Sequence, residues 1–406
     1  MKLQFETSVL QNILKVLSLF SITENNMLNS SFSYTIIELR KGACTFATSN
    51  GSELCKITNI PYTLLENLGE GGELPDFKVM VELKAFSSFI SLITVDSIIL
   101  DFQENCIELI YKKNKRNKYV LSYYDISKAF LVDEPFEELL KQEAVSLLVL
   151  STDLLKKIND FILPCCATDS ARAFLNGCYI DNDNIMATNS RILGKLEMGQ
   201  DIKRFISQPF FLSQKFLQNL EEINETISIA VYDYSLICKT ILCPGVHNIN
   251  VEILGKVGNT SQFPPAYQII TKVVSYPYLI TVNTPEFVSA LRVLQPFVDS
   301  FMRSVLKVGV DNSCIYLTTE STAKNKQGED SVDILTCTQQ IEHPLSFCIS
   351  LDDIKNTVLK FSSDTTSLYL SQESSTEPIG IEDSTNNILL VIATIQILND
   401  SNKTEE

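Results

Sequence analysis

Three stretches of this chain repeat one pattern, and a repeat on that scale leaves few architectures open. Leu3 to Phe20 (LQFETSVLQNILKVLSLF), Leu147 to Pro164 (LLVLSTDLLKKINDFILP) and Leu279 to Phe297 (LITVNTPEFVSALRVLQPF) each run from a short apolar strand through a polar cap into an amphipathic helix. In each, a Ser or Thr stands ahead of the first helical turn, where its oxygen is expected to accept from a backbone N–H that has no partner within the helix. A second unit also recurs, a helix followed by two alternating strands, beginning near Glu82 (ELKAFSSFISLI), Ser213 (SQKFLQNLEEI) and Ser350 (SLDDIKNTVLKF). The period is roughly 130 to 145 residues, the size of one domain.

Strands with period-2 alternation and helices with i, i+3, i+4 apolar spacing predict an α+β fold of three repeated domains, each with two helices packed on antiparallel sheets. Phe86, Phe89, Ile90 and Ile93 make the apolar stripe in one second-unit helix, and Ile354, Val358 and Phe361 make it in another. The domains are expected at 1-140, 141-272 and 273-406. Polar and acidic residues cluster at one boundary, between about residues 125 and 145, and the other lies in the Pro- and Tyr-rich segment Phe263 to Tyr278.

The 406-residue chain carries a formal charge of −16, which by itself argues against nucleic acid as a partner. The outward helix faces, read at about 100° per residue, qualify that argument. In the first helix Leu10, Ile13, Leu14 and Leu17 point inward and Ser8, Gln11, Asn12 and Lys15 outward; in the next, Lys84, Ser87, Ser88 and Ser91 are outward. Later copies place Lys156, Lys157, Asn159, Lys215, Gln218, Ser289, Arg292, Lys355, Asn356 and Lys360 on or beside that face, with acidic exceptions at Asp160 and Glu222. Neutral-to-basic helices on an acidic chain would suit a DNA-facing lining, with Lys15, Lys84, Lys156, Lys157, Lys215, Arg292, Lys355 and Lys360 toward the phosphates. The same residues would equally serve to solvate ordinary helices.

Little in the chain suggests catalysis. It has two histidines, His247 and His343, too few for a His-rich metal site or a His-dependent triad. Gly69, Gly71 and Gly72 lie in an acidic loop without the Lys-Ser/Thr of a phosphate-binding loop. Eleven cysteines form no C-x-x-C pair and are expected as reduced core residues. No cofactor or metal is expected, and no membrane span. A cytoplasmic setting follows from the cysteine usage and the absence of a signal-like apolar run.

Arg172-Ala173-Phe174-Leu175-Asn176-Gly177, followed by Ala187-Thr188-Asn189-Ser190-Arg191-Ile192-Leu193, resembles the middle domain of bacterial sliding clamps, the DNA polymerase III β-subunit type. That family shows R-x-x-L-N-G and then A-T-D-G-H-R-L. Phe263-Pro264 is similar to its F-P-D-Y end of the domain, and Ile381-Glu382-Asp383 with the apolar strand Ile388 to Ile397 to its C-terminal end. The resemblance, to a diverged member, covers essentially the whole chain. It implies a non-enzymatic ring of two head-to-tail protomers, with helices inside, that encircles duplex DNA without reading its sequence and tethers the replicative polymerase for processive synthesis.

The resemblance also implies an apolar cleft for short linear peptides of the polymerase and the clamp loader. Carried over position by position, it would include Leu175, Thr188, Ser190, Arg191, Ile192, Leu193, Pro264 and Met302, with Val391, Ile392, Ala393, Thr394, Ile395, Gln396 and Ile397 from the final strand. Ser190-Arg191-Ile192 replaces G-H-R, and Thr394 and Gln396 stand where the family usually has Pro and Arg. Val391 to Ile397 also reads as a plain core strand. At the ring seam, the basic run from Lys112 to Lys118, with Arg116 and Lys118 leading into Tyr119 and Leu121, would meet Glu329, Asp330 and Asp333 of the partner, with apolar support from Leu294 and Phe297. A direct DNA contact or a solvated turn also fits that run. Two readings from other classes stay open: a β-rich interaction or virion scaffold protein that keeps the fold without encircling DNA, and an enzyme using a cysteine such as Cys178.

Overall fold

The computed structural model describes residues 1–22, 32–65, 76–111, 119–297, 305–321, 326–373 and 375–396. The repeats are present as structure. Strand Lys2–Glu6 runs into helix Thr7–Leu19, Ser146–Leu150 into Thr152–Lys157, and Tyr278–Asn283 into Thr284–Leu294. In the first copy Val9, Leu10, Ile13, Leu14, Val16 and Leu17 are buried, the spacing that puts one helical face on a sheet. Burying each such leucine contributes about 2 kcal/mol. The second-unit helices are Leu83–Ser91, Gln214–Ile223 and Leu351–Ile354. The protein is thus α+β, with paired helices on antiparallel sheets recurring three times along the chain.

Two helical expectations need correction. Glu6 is the N-cap of the first helix and makes no side-chain cap bond, and Thr7 is the first helical residue, its buried hydroxyl without a hydrogen-bond partner among the described residues. In the third copy Asn283 is the cap, accepting from the Glu286 N–H at 3.0 Å, while Thr284 lies 2.8 Å from the Thr366 hydroxyl. A carboxamide one residue earlier reaches the free N–H and leaves the threonine to face the core. The last second-unit helix is also shorter than its stripe implies. It stops at Ile354, Thr357 Oγ1 donates to the Ile354 carbonyl at 3.0 Å, and a separate 3-10 turn at Val358–Lys360 brings Val358 back into the core.

Among the described residues the strands form sheets of five, nine and twelve, paired antiparallel. The nine-stranded sheet is made continuous where Ile249–Lys256 pairs with Leu54–Thr58, for example Val251 with Ile57. In the twelve-stranded sheet Ile192–Glu197 pairs with Ile388–Ile392, Leu193 opposite Val391. The chain divides into two compact units. One holds Met1–Thr152, Lys203–Gln208 and Gln218–Val257; the other holds Asp153–Ile202, Pro209–Leu217 and Gly258–Glu406.

The two segments read as boundaries are structured. Helix Glu134–Leu139 sets Phe136 and Leu139 on the nine-stranded sheet against Leu54, Tyr232 and Ile237. Helix Ala266–Val274 sets Ala266, Ile270 and Val273 against Met186, Leu193, Leu389 and Val391. Proline before the second helix is compatible with its first turn, so composition hid an ordinary i, i+4, i+7 stripe.

Candidate functional site

The Arg172 to Gly177 motif and the Ala187 to Leu193 motif meet in space. Arg172 sits in the 3-10 segment Ser170–Leu175, where the Asp169 carboxylate accepts from the Ala171 N–H at 2.7 Å and lies 3.2 Å from the Arg172 Nε. These bonds hold the Asp169 carboxyl below its usual range, the Ala171 backbone N–H contributing most and Arg172 next. The Arg172 guanidinium then donates to the Asn189 carbonyl at 3.2 Å. Gly177 starts the next strand, and a Cβ there would lie 2.2 Å from the Leu212 carbonyl oxygen, so no larger residue fits.

The second motif is a built turn. Asn189 Oδ1 accepts from the N–H groups of Arg191 and Ile192 at 2.9 and 3.0 Å, and Thr188 Oγ1 donates to the Ile192 carbonyl at 2.8 Å. Ser190 holds φ at 77°, in the left-handed region, at the position where the resembled pattern has glycine. Arg191 reaches across to the Asp353 carboxylate at 2.8 Å.

Beside this turn lies a cleft of about 490 Å³, lined by Thr188, Ser190, Arg191, Ile192, Leu193, Pro264, Val391, Ala393 and Thr394, all expected there. Others belong elsewhere. Leu175 is 1% exposed and Ile392 is fully buried, both inside the core rather than on the cleft. Strand alternation explains Ile392, whose side chain points to the face opposite Val391. Ile395 and Gln396 do not line the cleft; Ile395 donates its N–H to the Cys348 carbonyl at 2.7 Å instead. Met302 and Ile397 lie outside the described residues. Ala266, Ile269 and Lys272 of the unforeseen helix, with Thr376 and Pro378, complete the lining. The 266–274 stripe could have found the helix residues; Thr376 and Pro378 carry no local signal.

Of the helix-face cations, Lys15 is 3.5 Å from Glu222, Lys157 3.8 Å from Asp153 and Lys360 2.7 Å from Asp160, and Lys355 pairs with Asp352. The acidic exceptions in the sequence are therefore partners of these lysines. Arg292 donates to the Leu359 carbonyl at 3.1 Å. Lys84, Lys156 and Lys215 are exposed and, among the described residues, have no carboxylate within ion-pair distance. Gln11 is not an outward residue: its amide donates to the carbonyls of Ile90 and Ile93, both at 3.0 Å, tying the first two helices together.

Arg116 and Lys118 of the basic run lie outside the described residues. Tyr119 and Leu121 are half-buried on strand Tyr119–Ser122, the Tyr119 ring 4.7 Å from that of Phe89. Glu329 and Asp333 are exposed and Asp330 half-buried on strand Lys326–Cys337. Leu294 is 1% exposed and closes against Gly328, so it is core and not surface; Phe297 is half-buried.

Six cysteines, including Cys165, Cys166 and Cys178, are buried, whereas Cys106, Cys243, Cys314, Cys337 and Cys348 are only half-buried, so the core expectation holds for part of the set. Burial pushes the Cys178 thiol well up, the opposite of what a nucleophile needs. No helix is long and apolar enough to cross a membrane among the described residues.

No protein-family profile and no curated protein sequence matches the chain. Solved structures do. The DNA polymerase III β subunit of Thermotoga maritima superposes with a TM-score of 0.79 at 14% identity, over 98% of this chain and 99% of that one. The protein has the β-clamp fold. The Bacillus subtilis sliding clamp gives a TM-score of 0.78 at 14% identity, with 98% and 99% covered. The Helicobacter pylori β clamp bound to a DNA ligase peptide gives 0.73 at 16% identity, with 98% and 100% covered. At such identities the β-clamp fold is what is shared.

Proposed function

We propose that this chain is a DNA sliding clamp, a non-enzymatic ring of two head-to-tail copies that encircles duplex DNA and tethers a replicative polymerase. The observation that carries the reading is the β-clamp fold, shared over 98% of the chain. Domains at 1–140, 141–272 and 273–406 belong to the same proposal, as does a cytoplasmic setting beside the polymerase. A ring holds DNA by topology, so an acidic chain needs only weak phosphate contacts, and the exposure of Lys84, Lys156 and Lys215 supports a role for them there. Strand Tyr119–Ser122 pairs on one side only among the described residues, which supports its use at the seam opposite Glu329, Asp330 and Asp333. The polymerase and the loader would engage the cleft through short linear peptides; the Helicobacter pylori β clamp is one that has been solved bound to a peptide, that of a DNA ligase.

The test is retention on nicked circular DNA against the same DNA linearised, with a clamp loader and ATP, alongside the mass in solution. Retention on circles lost at free ends, with a mass of two chains, is the expected result. A closed dimer that binds circles and ends alike would show that the fold is kept without encirclement, the scaffold alternative.

A further inference from the structure

We propose that the cleft beside Arg191 selects an extended segment whose apolar anchors are flanked by carboxylates; this rests on reading the cleft as a peptide site. The floor is apolar, with Leu193 and Val391 paired across two strands, and Ile269 stands 38% exposed on one wall. Among the described residues its charged lining is Arg191 and Lys272, with no Asp or Glu, although the chain as a whole carries −16. The carboxylates that pair with these cations stand outside. Asp353 lines the neighbouring cavity of about 520 Å³, and Glu377, held by Lys272 and by the Tyr276 hydroxyl at 3.2 Å, lies between the lining residues Thr376 and Pro378 without itself facing in.

Both cations are more than half exposed, with side-chain exposures of 59% for Arg191 and 56% for Lys272. Asp353 and Glu377, 8% and 24% exposed, stay paired behind them, while the exposed N–H groups of each cation leave donors free for a ligand carboxylate to share. From inside the cleft the charged groups within reach are these two cations over an apolar floor, and a segment of matching chemistry meets both at once.

Three labelled synthetic peptides with the same Leu and Phe anchors, flanked by Asp, by Asn or by Lys, would be titrated against the full chain by fluorescence anisotropy. The Asp-flanked peptide should bind about tenfold tighter than the Asn-flanked one at low salt, and the Lys-flanked one weakest. The gap should close as salt rises. In Lys272→Gln the Asp-to-Asn ratio should fall to about threefold. Equal binding of the Asp and Asn peptides, or a ratio that Lys272→Gln leaves untouched, overturns the charge preference while the peptide cleft stands. Failure of all three to bind overturns both.

Discussion

The guanidinium of Arg191 lies 2.8 Å from the carboxylate of Asp353, joining the turn of the second motif to the start of a helix more than 150 residues later. Asp353 is the less exposed partner, its side chain 8% exposed against 59% for Arg191. Replacing Arg191 by Ala should destabilise the chain by about 1 kcal/mol, more than a surface pair is worth and less than a buried one. Urea unfolding of Arg191→Ala, Asp353→Asn and the double variant would measure the coupling; additive losses would mean the two side chains do not interact.

Ser190 next to it is the strained residue of the same turn, at φ 77°. Glycine there should raise stability by about 0.5–1 kcal/mol, since its left-handed conformation carries no Cβ penalty, and valine should lower it by about 1 kcal/mol or more. Thermal unfolding of the two variants beside the parent checks the order; a glycine variant less stable than the parent would show that the Ser190 hydroxyl matters more than the strain.

Gly177 has a different reason to be glycine. Its φ is ordinary, but the missing Cβ would sit 2.2 Å from the Leu212 carbonyl oxygen of the paired strand. Gly177→Ala should cost about 2 kcal/mol or more, because backbone on both sides must move. Hydrogen exchange of the amides in Gly177–Ile180 and Phe210–Ser213 would report it, and unchanged protection would contradict the close approach.

On the sliding-clamp reading, the lysines divide by their partners. Gln at Lys84, Lys156 or Lys215 should lower the salt slope of DNA binding by about 0.9 each, as for a released counterion, whereas Gln at Lys15 or Lys360 should change it less because Glu222 and Asp160 already neutralise them. Salt titration of DNA binding by each variant decides; equal slopes across the set would remove the distinction.

Thiol titration of the native chain should separate the cysteines. Cys106, Cys243, Cys314 and Cys337 should react with an aromatic disulfide first, and Cys165, Cys166 and Cys178 only on unfolding, because burial both shields these three and, in Cys165 and Cys178, pushes the thiol up. Rapid native reaction of all eleven would contradict the core described here.

The three repeats, their α+β class and the inward helix residues were legible in the sequence, because side-chain periodicity is a local consequence of backbone geometry and needs no knowledge of the partner surface. The cleft turn was legible too, through two short motifs. What local pattern could not decide was where distant segments meet. That Ala266–Val274 is a cleft wall, that Thr376 and Pro378 complete it, and that Leu175, Ile392 and Leu294 sink into the core all depend on strand pairing between residues far apart in the chain. The same holds for charge. Asp160 and Glu222 looked like exceptions on a basic face and are ion-pair partners of Lys360 and Lys15, since an ion pair requires only proximity in space, which the fold supplies.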